Sequence, residues 1–530
     1  MSEPTTKQVS IYDTTLRDGT QGEGVSFSSL DKLRIAKKLD EFGVDYIEGG
    51  WPGSNPKDVE FFQEARKHQW QHARIAAFGS TRRKNVAVED DPQVALLIES
   101  EAPVVTYFGK SWKLHVTEIL TTTVEENQAM IRDTAAYLKK HGREVIYDAE
   151  HFFDGYKDDP EHALDTLRAA KEGGAGMVVL CDTNGGTMPH EVESITRAVV
   201  ESLQMPVGIH PHDDCGVGVA NALAGVAGGS TQVQGTVNGF GERTGNCNLI
   251  SAIPNLSLKL GIELNADLSR LTEVSRFVND LANHPHYPRA PYVGETAFAH
   301  KGGMHVNAVQ KIARSFEHIV PKTVGNRQRI LVSELSGQSN VLMKAEELGL
   351  PLEKGSDEVK NILEQLKTLE KKGYEFEAAE ASFELLIRKV LGDCDPYFRL
   401  REYHCSYRYH TADVGAYETC EATVKLRLGE ERVYTVAEGD GPVNALDAAL
   451  RKALSPAYPE IEELSLQDFK VRIVDSHMGT AAKTRVLVVS SDGKESWGTV
   501  GVSHNIIEAS WKALVDSIEV FLMRRGVQPS

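Results

Sequence analysis

The chain has 530 residues, of which 41% are hydrophobic and 25% are charged, and its formal net charge is -18. This length predicts about three folded units, or one large barrel with appended modules. The acidic balance, without a basic stripe, argues against nucleic acid as a partner. No apolar run approaches the roughly 18 residues of a membrane helix, so we expect no membrane contact. The polar N-terminus and six cysteines without metal-binding or paired spacing predict a cytoplasmic protein with reduced thiols.

Short apolar strands alternate with amphipathic helices from the start of the chain. The first strand is predicted to begin at Ile11, and seven more are predicted at 46–48, 75–78, 104–108, 144–148, 176–181, 207–210 and 231–238. The first helix has serines at its start, Ser28 and Ser29, and Gly43 at its end, which are typical caps. Further helices are predicted at 58–67, 92–100, 125–140, 160–172, 189–203 and 217–227.

This alternation is typical of a (β/α)8 TIM barrel. The alternative is a doubly wound open sheet, which usually carries a glycine-rich phosphate loop after its first strand. Here the first strand runs into an acidic and hydroxyl-rich turn at 13–19 instead. We therefore predict an α/β protein in which residues 1–270 form a TIM-barrel catalytic domain. Its functional side chains are expected at the C-terminal ends of the strands.

The regular alternation of strands and helices ends after residue 270. Residues 271–399 combine helical stretches with a proline-rich run and the glycine-rich HKGGMH at 300–305, which predicts a helical connector or lid. From 400 to 530 a β-rich pattern returns, with glycine-bounded hairpins near Gly429 and Gly493 that are each followed by a helix. This internal repeat predicts a separate C-terminal α+β domain made of duplicated hairpin-helix units.

Two strand ends carry side chains suited to a metal ion. The first strand leads into DTTLRDG, which places Arg17 beside Asp18, and the seventh leads into HPHDD, which carries His210 and His212. Residues i and i+2 of an extended strand point the same way, so both imidazoles can reach one ion. With the Asp18 carboxylate they form a mixed nitrogen and oxygen site suited to a divalent ion such as Mn²⁺, Mg²⁺ or Zn²⁺.

Three further strand ends add polar groups. Asn246 follows the eighth strand in GERTGN and offers a carbonyl oxygen as a fourth ligand, although this segment could equally cap a helix. Thr183 follows the sixth strand, and its hydroxyl can bind a substrate oxygen. Glu150 ends the fifth strand and is the candidate acid-base carboxylate, with a surface ion pair as the alternative.

The motifs DTTLRDG, HxHDD, GxGERTGN and HKGGMH, in this order, resemble those of the metal-dependent Claisen-condensing acyltransferases. This family includes 2-isopropylmalate, homocitrate and citramalate synthases. EGDGPVNALDAAL is similar to the regulatory domain of isopropylmalate synthases, whereas IEGGWPGSNPKD and VIYDAEHFFDGYK look more like one branch of (R)-citramalate synthases. In HKGGMHVNAV, Asn307 stands where isopropylmalate synthases more often carry an acid.

The resemblance implies a condensation of acetyl-CoA with pyruvate, whose product enters the route to isoleucine through 2-oxobutanoate. Arg17 is then expected to stabilise the developing alkoxide, and Glu150 and His305 to move protons and activate water. The family also implies a homodimer in which the segment bearing His305 reaches the barrel mouth of the partner subunit. Isoleucine is the expected allosteric inhibitor. The remaining substrate contacts are expected from Thr183, Gln21 and His300.

Several alternatives remain open from the sequence. A 2-isopropylmalate or homocitrate synthase would differ only in the keto acid that it accepts. A metal-dependent aldol lyase has a related barrel, although the large C-terminal region argues against it. Two histidines and a carboxylate also occur in non-haem iron oxygenases, which a parallel barrel fits poorly. A non-enzymatic amino-acid sensor would not need intact Arg17, Asp18, His210 and His212.

Overall fold

The computed structural model describes residues 8–301, 303–330, 338–376, 378–412, 415–474 and 476–529. These residues form two compact units, the first made of 8–298 with 319–327 and the second of the other described residues. No helix in the described part of the chain is long and apolar enough to cross a membrane. All six cysteines are free, as the lack of paired spacing predicted.

A closed barrel of eight parallel strands forms the centre of the first unit, and β1 pairs with β8 to close it. This confirms the predicted TIM barrel. The closing pair aligns Asp13 with Gly235, so the ends of the first and last strands become neighbours. The strands are β1 Ser10–Asp13, β2 Tyr46–Gly50, β3 Arg74–Ser80, β4 Val104–Lys110, β5 Glu144–Glu150, β6 Met177–Asp182, β7 Val207–Pro211 and β8 Gln232–Gly235.

Helices surround the barrel, and their caps follow the sequence. The Ser28 side chain accepts the backbone N–H of Asp31, and Gly43 ends the first helix in a left-handed conformation, φ 96°. The short α5 was not predicted, because FFDGYKD contains a glycine and follows directly on a strand. The helices are α1 Ser29–Phe42, α2 Pro56–Ala65, α3 Pro92–Glu99, α4 Val124–Lys140, α5 Phe152–Asp158, α6 Pro160–Gly173, α7 Pro189–Leu203, α8 Gly218–Gly228, α9 Leu249–Pro254 and α10 Leu271–Leu281.

The main apolar core of this unit lies between the barrel and its helices, as expected for parallel strands that are covered on their outer face. A smaller apolar cluster fills the barrel interior and includes Tyr12, Val104, Ile146 and Val179. Above this cluster the inward-facing residues become polar. The barrel floor is therefore packed, and the polar side chains collect near the C-terminal ends of the strands.

The second unit begins with helices and a two-stranded parallel sheet and continues into two three-stranded antiparallel sheets. The hairpins turn at Gly429 and Gly493, and a helix follows each, which confirms the predicted repeat; each sheet has one additional strand ahead of its hairpin. The elements are β9 Ala299–His300, α11 Gly303–Lys311, β10 Arg329–Ile330, α12 Gln338–Glu347, α13 Asp357–Lys371, α14 Glu380–Leu391, β11 Arg399–Ala412, β12 Gly415–Leu428, β13 Glu431–Glu438, α15 Pro442–Leu454, β14 Ser465–Ile473, β15 Thr484–Ser491, β16 Ser496–Ser503 and α16 Ile506–Arg524.

Candidate functional site

The four side chains predicted as metal ligands converge at the C-terminal end of the barrel. The Asp18 Oδ2 atom lies 3.2 Å from His210 Nε2 and 3.7 Å from His212 Nε2. The Asn246 Oδ1 atom lies 2.8 Å from the same His210 nitrogen. All four residues are buried. They meet because barrel closure places the ends of β1, β7 and β8 side by side.

Hydrogen bonds outside this cluster orient its ligand atoms. The Nδ1 atom of His210 is 2.7 Å from Gln234 Oε1, so with the proton on Nδ1 the lone pair of Nε2 faces Asp18. Asn246 Nδ2 donates to the carbonyl oxygen of Phe240 at 3.1 Å, which leaves Oδ1 directed at the cluster. Converging lone pairs of this kind suit a cation. The helix-cap alternative for Asn246 does not hold, because Asn248 caps α9.

The electrostatic balance of the cluster keeps one carboxylate ionised. Burial opposes ionisation of Asp18, but Arg17 and His210 hold the pKa of its carboxyl well below the usual range. Burial alone would lower the pKa of His210, and the Asp18 carboxylate instead raises it to about 9. Burial, reinforced by the neighbouring His210, lowers the pKa of His212 to about 4. The neutral His212 imidazole and the ionised Asp18 carboxylate are donors suited to a divalent cation, and a cation bound there would displace the proton from His210 Nε2.

A second set of candidate ligands shares His210 and adds Asp148 and Cys181. Burial raises the pKa of Asp148 to about 7 and raises the pKa of the Cys181 thiol. These groups hold their protons more tightly than Asp18 does, and a proton competes with a metal ion for the same lone pair. We therefore place the candidate metal centre at the set that contains Asp18.

Arg17 is held rigidly beside this centre. Its Nε atom donates to the fully buried carboxylate of Glu48, and its Nη1 atom is 3.5 Å from Asp18 Oδ2. The guanidinium lies 3.7 Å from the centroid of the Phe78 ring, a cation–π contact. Glu48 is fixed in turn by the Thr14 hydroxyl at 2.6 Å. A guanidinium fixed by an ion pair at its edge and by a ring on one face can stabilise charge without reorganising.

Thr183 and Glu150 lie at neighbouring strand ends. Thr183 Oγ1 accepts a hydrogen bond from the backbone N–H of His151 at 2.9 Å. The Thr183 hydroxyl can therefore still donate its own proton in a second hydrogen bond. Glu150 and Lys110 are aligned on adjacent strands, and their side chains form an ion pair. Both members are mostly but not completely enclosed, with exposed side-chain fractions of 24% and 17%. The Glu150 carboxylate is therefore accessible from the barrel mouth.

The remaining predicted site residues are Gln21 in the first unit and His300 and His305 in the second. Gln21 is exposed and lines a cavity of about 250 Å³ that also reaches Arg17. In the second unit, His300 Nε2 is 3.2 Å from the buried Glu317 carboxylate. His305 is exposed on α11, and its ring stacks on Phe316 with centroids 4.4 Å apart. His305 thus presents a side chain that solvent or a ligand can reach.

Three residues that contact predicted site residues were not predicted from the sequence. Glu48 lies on β2, two residues before the strand ends at Gly50, and it closes the strand predicted at 46–48, so the rule that barrel strand ends carry function could have identified it. Lys110 could have been found in the same way at the end of β4. Gln234 lies inside the barrel on β8, and only the three-dimensional register shows that it meets His210. No sequence signal marks that contact.

Three family models match successive parts of the chain. Residues 8–278 match the model described as HMGL-like, residues 292–374 the homocitrate synthase post-HMGL domain-like model, and residues 377–522 the LeuA allosteric (dimerisation) domain. Each model follows the preceding one without overlap. Together the three models match most of the chain.

Full-length relatives show the same likeness. An (R)-citramalate synthase of Aquifex aeolicus is 55% identical over 98% of this chain and 98% of its own length. An (R)-citramalate synthase of Synechocystis sp. is 52% identical over 97% of this chain and 96% of its own. A probable 2-isopropylmalate synthase of Methanopyrus kandleri is 32% identical over 98% of this chain and 99% of its own.

Proposed function

This chain belongs to the HMGL-like family and, within it, to the group of (R)-citramalate synthases, and from this premise we propose that it makes (R)-citramalate. Acetyl-CoA, pyruvate and water are converted to citramalate and free CoA. A carbon–carbon bond forms between the acetyl methyl carbon and the keto carbon, and water cleaves the thioester. The observation that carries this proposal is the convergence of Asp18, His210, His212 and Asn246 beside Arg17.

Asp18, His210, His212 and Asn246 are proposed to hold one divalent cation, Mn²⁺, Mg²⁺ or Zn²⁺. The chemistry of the donor set supports this, because two imidazole nitrogens and two oxygens meet around one point. When bound, such a cation polarises a carbonyl oxygen as a Lewis acid. The chain's own contribution is to keep Asp18 ionised and His210 in the required orientation.

Arg17 is proposed to receive the negative charge that develops on the keto oxygen. Its position is fixed by Glu48 and Phe78, so the positive charge is in place before the reaction begins. Thr183 is proposed to bind the carboxylate of the keto acid. Its hydroxyl proton is free for that hydrogen bond because Oγ1 already accepts from His151. Gln21 is proposed to contact substrate from the adjoining cavity.

Glu150 and His305 are proposed to take the proton from the acetyl methyl group and to activate the hydrolytic water, with His300 as a further substrate contact. The exposure of His305 on α11 supports a role in which it meets another surface. We propose that this surface is the barrel mouth of the partner subunit in a homodimer. The match to a dimerisation domain supports the assembly.

We also propose that the chain is organised as a catalytic barrel, 1–270, a helical connector, 271–399, and a regulatory domain, 400–530. Isoleucine is the proposed inhibitor, because citramalate lies on the route to that amino acid. A truncated chain that ends near Lys389 should lose its response to isoleucine. Full sensitivity in that variant would contradict the assignment. A cytoplasmic location is proposed as well, since all six cysteines are free.

An acceptor screen tests the proposed function directly. Acetyl-CoA is mixed with pyruvate, 2-oxoisovalerate or 2-oxoglutarate, and free CoA is followed with a chromogenic thiol reagent. We expect the highest kcat/KM with pyruvate and a single (R)-citramalate product on a chiral column. A higher kcat/KM with 2-oxoisovalerate would assign the chain to leucine biosynthesis instead. CoA release without any acceptor would indicate simple thioester hydrolysis.

A further inference from the structure

Arg243 connects its own loop after β8 with the loops that follow β7 and β6. Its Nε atom donates to Asp214 Oδ1 at 2.7 Å, and its Nη2 atom donates to Asp214 Oδ2 at 3.0 Å. The same Nη2 atom donates to the backbone oxygen of Thr183 at 2.7 Å. Arg243 follows β8, Asp214 follows β7 and Thr183 follows β6. One guanidinium therefore connects three consecutive strand ends.

Backbone hydrogen bonds connect the same loops at points next to the proposed ligands. The His212 N–H donates to the Asp182 oxygen at 3.3 Å, and the Asp213 N–H donates to the Gly245 oxygen at 3.0 Å. His212 and Asn246 also face each other across an isolated β-bridge. The side-chain link through Arg243 thus closes a ring of contacts that contains two metal-ligand candidates and Thr183.

The local backbone is shaped to allow this contact. Arg243 adopts φ 56°, a left-handed conformation that is strained for a side chain of its size. Gly185, at φ 61°, lies so close to Asp214 that an added Cβ would collide with the carboxylate. An unusual conformation on each side of the link indicates that its geometry is fixed by the surrounding loops. A freely moving surface ion pair would need neither feature.

Thr183 is held from two sides. Arg243 fixes its backbone oxygen, and the His151 N–H fixes its side-chain oxygen. The Thr183 hydroxyl proton therefore has a restricted direction. A donor with a fixed direction binds a substrate oxygen with less loss of entropy than a free one.

We propose that Arg243 is a positioning residue, which sets the place of Thr183 and of the His212 and Asn246 loops and thereby the affinity for the keto acid. This inference rests on the proposed function for its substrate. Arg243 acts through other residues and does not touch the reacting atoms. The fork of the guanidinium is essential, because it must reach a carboxylate and a carbonyl oxygen at once.

The test compares Arg243→Met and Arg243→Lys with Arg197→Met in the full-length protein. Arg197 is the matched control, since it also pairs with a carboxylate, Glu193, and reaches a backbone oxygen, but on the outer face of α7. We expect both Arg243 variants to raise the KM for pyruvate about 10-fold or more, with less than a twofold change in the KM for acetyl-CoA. The control should match the wild type.

Calorimetric titration of the metal-free protein with Mn²⁺ gives a second reading that needs no turnover. We expect both Arg243 variants to bind Mn²⁺ about 10-fold more weakly than the wild type. The Arg197→Met control should bind Mn²⁺ with unchanged affinity. If Arg243→Lys restores the wild-type KM and Mn²⁺ affinity, charge alone matters and the positioning role is wrong. Unchanged values in Arg243→Met would also overturn it. If the wild-type protein released no CoA from acetyl-CoA in the presence of pyruvate, the proposed function would be contradicted. The Mn²⁺ titration would still test the role of Arg243.

Discussion

Lys32 and Asp58 form a buried ion pair beneath the segment that carries Glu48, and its removal gives a sharp prediction. Only 4% of Lys32 and 5% of Asp58 is exposed. Lys32 Nζ contacts Asp58 Oδ1 and donates to the Gly49 oxygen at 3.2 Å, while Asp58 Oδ2 accepts the Trp51 N–H at 2.8 Å. Lys32→Met leaves the carboxylate buried with one backbone donor. Breaking a buried pair in this way costs about 3–5 kcal/mol.

Amide hydrogen exchange measures the loss of stability in the segment around Lys32 and Asp58 itself. A local measurement is needed because a chain of two units need not unfold in one step. Each 1.4 kcal/mol corresponds to a tenfold change, so amides in 46–58 should exchange roughly 140- to 4,000-fold faster in Lys32→Met. The kcat/KM should fall too, because Glu48 on the same segment holds Arg17.

Two further variants make the measurement decisive. Lys57→Met removes an exposed lysine from the adjacent helix and should change exchange little, by less than about 0.5 kcal/mol. The double variant Lys32→Met/Asp58→Asn removes the unpaired buried charge of Asp58 but keeps an acceptor for the Trp51 N–H. It should therefore recover most of the protection against amide exchange. If Lys32→Met behaves like Lys57→Met, the ion pair does not stabilise this segment and the reasoning is refuted.

Three other predictions concern the site and the second unit. The pair His210→Ala/His212→Ala should abolish stoichiometric Mn²⁺ binding in calorimetry, and unchanged binding would exclude the proposed centre. Arg17→Ala should lower kcat for CoA release about 10²–10³-fold, whereas near-normal turnover would rule out its role at the alkoxide. Burial raises the pKa of Asp516 to about 6, so its ionisation opposes folding as pH rises from about 4 to 6. With its side chain 24% exposed, Asp516→Asn should stabilise the protein by about 1–2 kcal/mol above pH 6, and its advantage in thermal midpoint should shrink towards pH 4.

Periodicity and glycine placement were enough to predict the barrel and the C-terminal repeat. The bounds of α7 were predicted correctly, because Pro189 opens the helix and its apolar positions recur regularly up to Leu203. The predicted eighth strand was too long. Its ladder with β1 ends at Gly235, and the following residues turn to bring Asn246 to the cluster. A sequence pattern does not show where a ladder ends.

The candidate ligands could be grouped from the sequence because a parallel barrel brings every strand C-terminus to one face. Asp18 and His210 are far apart in the chain, yet barrel closure places their strands, β1 and β7, on either side of β8. The groups that orient them could not be found in this way. The contact between Gln234 and His210 depends on the strand register inside the barrel. The contact between Lys110 and Glu150 depends on two long side chains that meet at the ends of adjacent strands. Such contacts are set by packing rather than by a local pattern.

Three cations near the barrel mouth contact carboxylates before any substrate arrives. Lys110 pairs with Glu150, Arg243 pairs with Asp214, and Arg17 contacts the carboxylate of Glu48. The chain as a whole carries a formal net charge of -18. An anionic keto acid therefore meets cations that are already engaged, in a protein whose overall field repels it. A divalent ion at Asp18 would supply the positive charge that is missing.

Metal binding should consequently precede keto-acid binding. Pyruvate titrated into the metal-free protein should bind at least 100-fold more weakly than into the Mn²⁺-loaded protein, a difference of about 2.7 kcal/mol. By linkage, saturating pyruvate must strengthen Mn²⁺ binding by the same factor, so the two titrations check each other. Equal pyruvate affinity with and without Mn²⁺ would show that Arg17 and Thr183 suffice to hold the keto acid. In that case the charge balance at the mouth would not determine the order of binding.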